Sequence, residues 1–160
     1  MATEVEIRQL DSSDIPLMEA LLTTFGDAFN DMETYTTKRP SKDYLQRLLM
    51  GDTFIAIAAV KNGEVIGGIA AYELRKFEQA RSEIYLYDLA VVSAHRRKRI
   101  ATALIEKLKE IAAERGAYVI FVQADTSLED EPAIALYTKL GRREDVLHFD
   151  IAVDGKHGNA

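Results

Sequence analysis

Four consecutive cations, Arg96-Arg97-Lys98-Arg99, separate an apolar, β-rich run ending at Leu89-Ala90-Val91 from a helical pattern that opens at Ile100. A helix N-terminus already presents unpaired N–H groups and a partial positive charge, so Asp and Glu are favoured there and Arg and Lys are not. The run therefore opposes folding unless an anion joins it. A pyrophosphate, held by amides and flanked by cations, meets that need. Read by itself, the same run is also a solvated basic loop. The strand–turn–helix setting favours phosphate.

The flanking patterns supply a topology. Val5 and Ile7 alternate with polar residues as a first strand. Ser12-Ser13-Asp14 can cap a helix with Pro16 in its first turn and Ile15, Met18, Leu21, Leu22 and Phe25 on one face. Ser41 caps a second helix through Leu49. Thr53 to Val60 and Val65 to Leu74 are strands joined by the hairpin signal Lys61-Asn62-Gly63-Glu64. Glu83 to Val92 is a third strand of this meander. Ile100, Leu104, Leu108, Ile111 and Ala112 face inward on the next helix, which ends near Gly116, and Tyr118 to Gln123 follows as a strand. Pro132 opens a helix over Ala133 to Leu140, and Val146 to Val153 reads as a last strand. The predicted order, β-α-α-β-β-β-α-β-α-β, is an α+β fold with a mixed sheet and helices on both faces. The step from strand 83–92 through helix 99–115 to strand 118–123 is expected to be a right-handed parallel crossover. One domain over residues 1–153 is expected, with a frayed polar tail at 154–160.

Composition narrows the chemistry. The chain has 160 residues, 20 basic and 26 acidic, for a net charge of −6. That balance disfavours a nucleic-acid partner held by bulk charge. Without cysteine, thiolate catalysis and thiolate metal sites are excluded, and His95, His148 and His157 lack metal-ligand spacing, so no metal is expected. No apolar run reaches the roughly 20 residues that span a bilayer. The acidic N-terminus lacks a signal-peptide layout, so a cytoplasmic protein without a membrane partner is expected.

Leu89-Ala90-Val91 followed by Arg96-Arg97-Lys98-Arg99-Ile100-Ala101 resembles the acetyl-CoA motif of the GCN5-related N-acetyltransferase (GNAT) superfamily, [Q/R]-x-x-G-x-[G/A]. Arg96 and Ala101 match the ends of the motif, and Arg99 stands where the family usually has Gly. Asp130 to Gly141 resembles a second family block, N-x-x-A-x-x-L-Y-x-x-L-G, with Asp130 in place of Asn. Lys76 to Gln79, Ser82 to Val91, Val122 to Asp125 and His148 to Ile151 look like aminoglycoside 3-N-acetyltransferases of the gentamicin/fortimicin type. Gly26 to Phe29 and Thr34-Tyr35 agree.

The resemblance implies acetyl-CoA as cosubstrate and an aminoglycoside as acceptor, acetylated at the 3-amino group of the deoxystreptamine ring; it allows a homodimer. Its implied cofactor contacts are Leu89, Ala90 and Val91 beside a strand bulge, Arg96, Arg97, Lys98, Arg99, Ile100, Ala101 and Thr102 at the turn, and Asp130, Ala133 and Tyr137. Tyr137 occupies the family's acid position; a phenol, with a reference pKa near ~10, is protonated at neutral pH. By spacing alone it is also a core tyrosine.

The base is open between Asp88 and Glu83, acting directly or through water. Strand alternation puts Glu83, Tyr85 and Tyr87 on one face and Ile84, Leu86 and Asp88 on the other, although alternation fails beside a bulge. Asp88 also reads as an acid that fixes the strand's end. A polycationic acceptor calls for acids and polar aromatics, and Tyr35, Glu83, Tyr85, Tyr87, Asp88, Asp125 and Asp150 are the candidates. Asp130 and Glu129 are further acids near them, and Glu129 and Glu131 also suit the N-terminus of the helix that follows. Asp150 is expected in a half-buried strand, where an acid needs a partner. Other readings are acetylation of a polyamine or a protein N-terminus, or a non-catalytic acyl-CoA-binding module.

Overall fold

Asn62 and Gly63 both adopt positive φ, 52° and 78°, which is the backbone that a two-residue hairpin loop demands. They join β2 (Phe54–Lys61) to β3 (Glu64–Arg75), with Lys61 opposite Glu64. β1 (Glu6–Gln9) adds antiparallel to β2, and β4 (Ser82–Val91) adds antiparallel to β3. β5 (Ala117–Val122) then pairs parallel with β4, which completes a five-stranded mixed sheet in the order β1-β2-β3-β4-β5. This computed structural model describes residues 4–127 and 130–153. The chain divides into two compact units, one up to Gln123 and one from Ala124 onward. Glu129 and the tail at 154–160 lie outside the described residues.

In the first unit, α1 (Ile15–Ala28) packs on β2, β3 and β4, while α3 (Ile100–Glu114) packs along all five strands. Met18, Leu21 and Phe25 of α1 and Leu45 of α2 (Lys42–Met50) join Phe54, Ala56, Ala58, Ala70 and Ala90 in one apolar cluster. The alternate strand residues Ile55, Ile57, Ile69 and Ile84 are buried on the other face, as are Leu104 and Leu108 of α3. Burial of each such side chain contributes about 1.5–3 kcal/mol. Gly68 sets the approach of α1 to the sheet. A Cβ there would lie 2.4 Å from Leu21 Cδ1 and 2.5 Å from the Ile57 carbonyl oxygen.

Local capping follows the sequence with one change. Ser41 Oγ accepts the Tyr44 N–H at 3.2 Å, as predicted. Asp14 stands at the α1 N-cap without capping it. Its carboxylate instead accepts the Asp11 N–H at 2.9 Å and pairs with Arg8 at 2.7 Å. Between α1 and α2 lies a five-residue π-helix, Glu33–Thr37, that no periodicity announced.

The second unit holds α4 (Glu131–Leu140), which begins two residues earlier than expected. The predicted last strand, 146–153, is not formed. Val146, Leu147, Phe149, Ile151 and Val153 are 72–86% exposed, and the segment has no ladder partner among the described residues. Alternation qualifies a segment for a sheet, but only a partner's N–H and C=O groups make it a strand. Among the described residues no helix is long and apolar enough to cross a membrane.

Candidate active site

A one-residue irregularity in β4 decides which side chains meet. Tyr72 lies opposite Tyr85 and Ala71 opposite Leu86, but Ala70 lies opposite Asp88, so Tyr87 is an extra residue on β4. Directly paired residues share a face, and Ala70 and Tyr72 share one as alternate residues of β3. Asp88 therefore points to the same face as Tyr85. This corrects the strict alternation that set them on opposite faces; the bulge resets it.

On that face Asp88 meets Tyr35 from the π-helix. The Tyr35 hydroxyl is 3.2 Å from each carboxylate oxygen of Asp88. The Tyr35 ring packs against Phe25 and Phe29, with centroids 6.0 and 5.7 Å away. Tyr87, displaced by the bulge, meets Tyr72 edge-on at 5.8 Å and Tyr85 at 5.4 Å. Tyr85 stacks on Phe121 at 4.6 Å and donates to Gln123 Oε1 at 2.7 Å. Tyr72, Tyr85 and Tyr87, with Thr53, Glu73 and Leu74, line an open cleft of about 450 Å³.

The electrostatics follow from this apolar wall. Burial raises the Asp88 carboxyl above the ordinary carboxylate range, and the Tyr35 hydroxyl, donating to the charged form, holds it back. Burial and then the neighbouring Asp88 charge push the Tyr35 phenol up, so it stays protonated. Tyr72 is raised for the same two reasons, and Tyr85 by burial first. Asp88 has no cation partner among the described residues.

Glu83 sits differently. Its carboxylate accepts from the Tyr118 hydroxyl and lies 3.7 Å from Lys76 Nζ. Five residues of strand put it about 16 Å along β4 from Asp88. The two acids proposed for one task thus occupy separate places, and Glu83 already has a cation.

The basic turn is built as a cradle. Arg96 Nε donates to the Val91 carbonyl at 3.0 Å and closes the turn. Arg97 and Arg99 hold φ of 64° and 62°, in the left-handed region that glycine favours. Arg99 thus holds a backbone that glycine adopts without strain, at a cost of about 1 kcal/mol. It is the N-cap of α3 and makes no side-chain cap bond, and the first turn carries no acid. The leading amides of α3, at Ile100, Ala101 and Thr102, therefore face outward beside exposed Arg97, Lys98 and Arg99. Parallel pairing with β5 ends at Leu86–Val122, so among the described residues Leu89, Ala90 and Val91 have ladder partners in β3 alone. The Val92 N–H bonds back to Ile66 of β3, so alternation turns the backbone groups of Leu89 and Val91 toward the edge that β5 leaves uncovered, where the Val91 carbonyl accepts from Arg96. A bare strand edge beside a cationic helix N-terminus fits an extended amide-bearing chain that ends in a pyrophosphate.

In the second unit, Asp130 Oδ2 accepts the Asp125 N–H at 2.7 Å, in a turn that leads into α4. Ala133 and half-buried Tyr137 lie on α4. Asp150 is exposed rather than half-buried, outside any strand, with Oδ1 2.7 Å from His148 Nε2. The burial that called for a ligand there is absent.

Sequence reasoning missed Tyr72, Phe25 and Phe29 as parts of the wall. The hairpin turn alone sets Phe54 opposite Ala71, and the register shift at Ala59/Val60 makes that partner Tyr72.

Comparison with known proteins agrees with this architecture. The chain is similar to a solved aminoglycoside acetyltransferase, HMB0005, from an uncultured soil metagenomic sample. The two are 68% identical over 94% of this chain and 99% of that one, with a TM-score of 0.93. A second soil-metagenome aminoglycoside acetyltransferase, meta-AAC0020, solved with sisomicin, is 28% identical over 94% and 97% of the two chains, with a TM-score of 0.84. Mouse (Mus musculus) N-acetyltransferase 8 is 27% identical over 67% of this chain, which spans about half (52%) of that protein's length. The acetyltransferase (GNAT) family matches residues 17–141, most of the strands and helices just described, and the chain belongs to that family.

Proposed function

We propose that this protein acetylates an amine of an aminoglycoside with acetyl-CoA as donor, at the 3-amino group of the 2-deoxystreptamine ring. The observation that carries the reading is Asp88: a half-buried carboxylate with no cation partner among the described residues, near tyrosines of which Tyr72, Tyr85 and Tyr87 line an open cleft. Such a site suits a protonated amine, by charge and by the faces of aromatic rings. Similarity to two aminoglycoside acetyltransferases supports the acceptor class. The 3-position rests on the resemblance of the segments around residues 76–91, 122–125 and 148–151.

Acetyl-CoA, when bound, supplies an acetyl group activated as a thioester. Arg96, Arg97, Lys98 and Arg99 with the amides of Ile100, Ala101 and Thr102 would hold its pyrophosphate, and Leu89 and Val91 would bond its amide-bearing arm. Asp88 takes one proton from the acceptor's ammonium, which frees the nitrogen lone pair. A carboxyl raised by burial is a better base near neutral pH than an ordinary one. Tyr137 donates its hydroxyl proton to the leaving sulfur and recovers one from the acylated nitrogen, so one proton is released per turnover. Glu83 is assigned no proton transfer, because Lys76 and Tyr118 already engage it. By resemblance, Asp125 is kept as an acid for another of the acceptor's ammonium groups and Asp130 as a cofactor contact.

The test is release of free thiol from acetyl-CoA across gentamicin, sisomicin, fortimicin, spermidine and an alanine-terminated peptide, with product mass and regiochemistry. Turnover confined to aminoglycosides, with the acetyl group on N3, is expected. Preference for spermidine or the peptide overturns the acceptor. Acetyl-CoA binding without turnover of any acceptor leaves a binding module.

A further inference from the structure

Three features that each cost stability converge on one hydroxyl. Residues 33–37 form a π-helix, a rare and poorly packed geometry that gathers at functional sites. Gly26 stands inside α1, where glycine costs about 1 kcal/mol relative to alanine. A Cβ at Gly26 would lie 2.9 Å from Met32 Sδ and 3.2 Å from Tyr35 Cβ, so its absence lets the π-helix close on α1. The third is the half-buried carboxylate of Asp88 itself, which has no cation partner among the described residues. Phe25 and Phe29 then confine the Tyr35 ring, and its hydroxyl meets both Asp88 oxygens at the same 3.2 Å.

A single O–H shared between two carboxylate oxygens tethers the carboxylate to the π-helix. It also leaves about half of the lone-pair sites free, because an ionised carboxylate can accept about four hydrogen bonds. From this geometry we infer that Tyr35 is a positioning residue: it anchors Asp88 from the α1 side so that the remaining lone pairs receive the acceptor's ammonium proton. The inference rests on the reading of Asp88 as the proton acceptor and adds the device that holds and tunes it. It moves Tyr35 from direct substrate contact, the role expected from sequence, to support of the base.

The titratable groups around Asp88 are Tyr35 from the π-helix, Tyr72 from β3, and Tyr85 and Tyr87 from β4, while Asp31 acts on Tyr35. Phe25 of α1 and Phe29 just beyond it set phenyl rings against Tyr35. Of these groups Tyr35 alone is hydrogen-bonded to the Asp88 carboxylate, so removing its hydroxyl makes the carboxylate a stronger proton binder.

Tyr35→Phe in the full chain tests this, because the ring and its packing stay. Two readouts apply: the ¹³C titration of the Asp88 carboxyl in the protein alone, and the pH profile of kcat/KM for gentamicin. The Asp88 midpoint moves to higher pH in the variant. The acid limb of the profile moves with it, so the substitution costs roughly tenfold at the acid end and little at the alkaline end. Gly26→Ala, which crowds Tyr35 without touching its hydroxyl, moves both in the same direction. A uniform loss of rate with an unmoved Asp88 midpoint overturns the inference while leaving the acetyl transfer intact. If the wild-type chain turns over no aminoglycoside, the proposed function fails, and the carboxyl titration still decides whether Tyr35 tunes Asp88.

Discussion

Asp88 and Tyr85 share one face of the sheet although two residues, an even number, lie between them, because one of the two, Tyr87, bulges out of the β4 ladder. That single extra residue turns a carboxylate into the aromatic wall. Without it, Asp88 would point with Leu86 into the α3 side of the sheet, as an unpaired charge in the core.

Asp88→Asn separates function from stability. If Asp88 is the proposed base, the change lowers kcat for the proposed aminoglycoside acceptor by about 10²-fold or more. The same change raises Tm at neutral pH, because burial lifts the Asp88 carboxyl above its unfolded value near ~3.9, so the ionised form destabilises the native state. The penalty is complete above the raised native value and vanishes below the unfolded one. The Tm difference between variant and wild type therefore closes as pH falls below about 4. Calorimetry from pH 3.5 to 8 checks it; equal melting at all pH values contradicts it.

Tyr137→Phe keeps the ring and removes the donor. kcat falls by about 10²-fold with little change in KM, because the proton is needed only as the sulfur leaves. Steady-state kinetics read this, and unchanged turnover removes Tyr137 from the mechanism.

Arg99→Gly tests the cradle in two directions. Glycine adopts φ of 62° without strain, so thermal stability rises by a few tenths to about 1 kcal/mol. One cation is lost beside the bare N-terminus of α3, so acetyl-CoA affinity falls severalfold, and less so in high salt. Thermal melts and titration calorimetry with acetyl-CoA measure the two effects.

Gly68→Ala reports on the packing of α1. The new methyl meets a backbone oxygen at 2.5 Å, which no rotamer change relieves. A loss of about 1–3 kcal/mol in urea unfolding is expected. A neutral substitution would mean that α1 stands farther from the sheet.

KM for the aminoglycoside rises with ionic strength. The chain carries a net charge of −6 and the proposed acceptor is a polycation, so salt screens the attraction that gathers it. A flat profile between low and physiological salt contradicts an acidic acceptor site.

Much of the fold is written in short-range patterns. Asn62-Gly63 dictates its hairpin, Ser41 its cap, and the spacing of Leu104, Leu108 and Ile111 the buried face of α3. The basic turn is legible too, because four cations before a helix contradict the helix's own charge preference. The 146–153 segment shows where such patterns stop: its alternation suits a strand, but it finds no ladder partner among the described residues.

The sequence by itself determined the order of elements from β1 to α4, apart from the π-helix, together with the basic turn and the likeness to acetyltransferases, since each depends on residues within about a dozen positions of one another. Only the tertiary structure decided which side chains make the site. The shifts at Ala59/Val60 and Ala70/Ala71 are agreements between distant strands, and with a side-chain period of two each slip of one residue exchanges the faces. The π-helix that delivers Tyr35 to Asp88 is likewise held by packing against α1 and carries no periodic signal of its own.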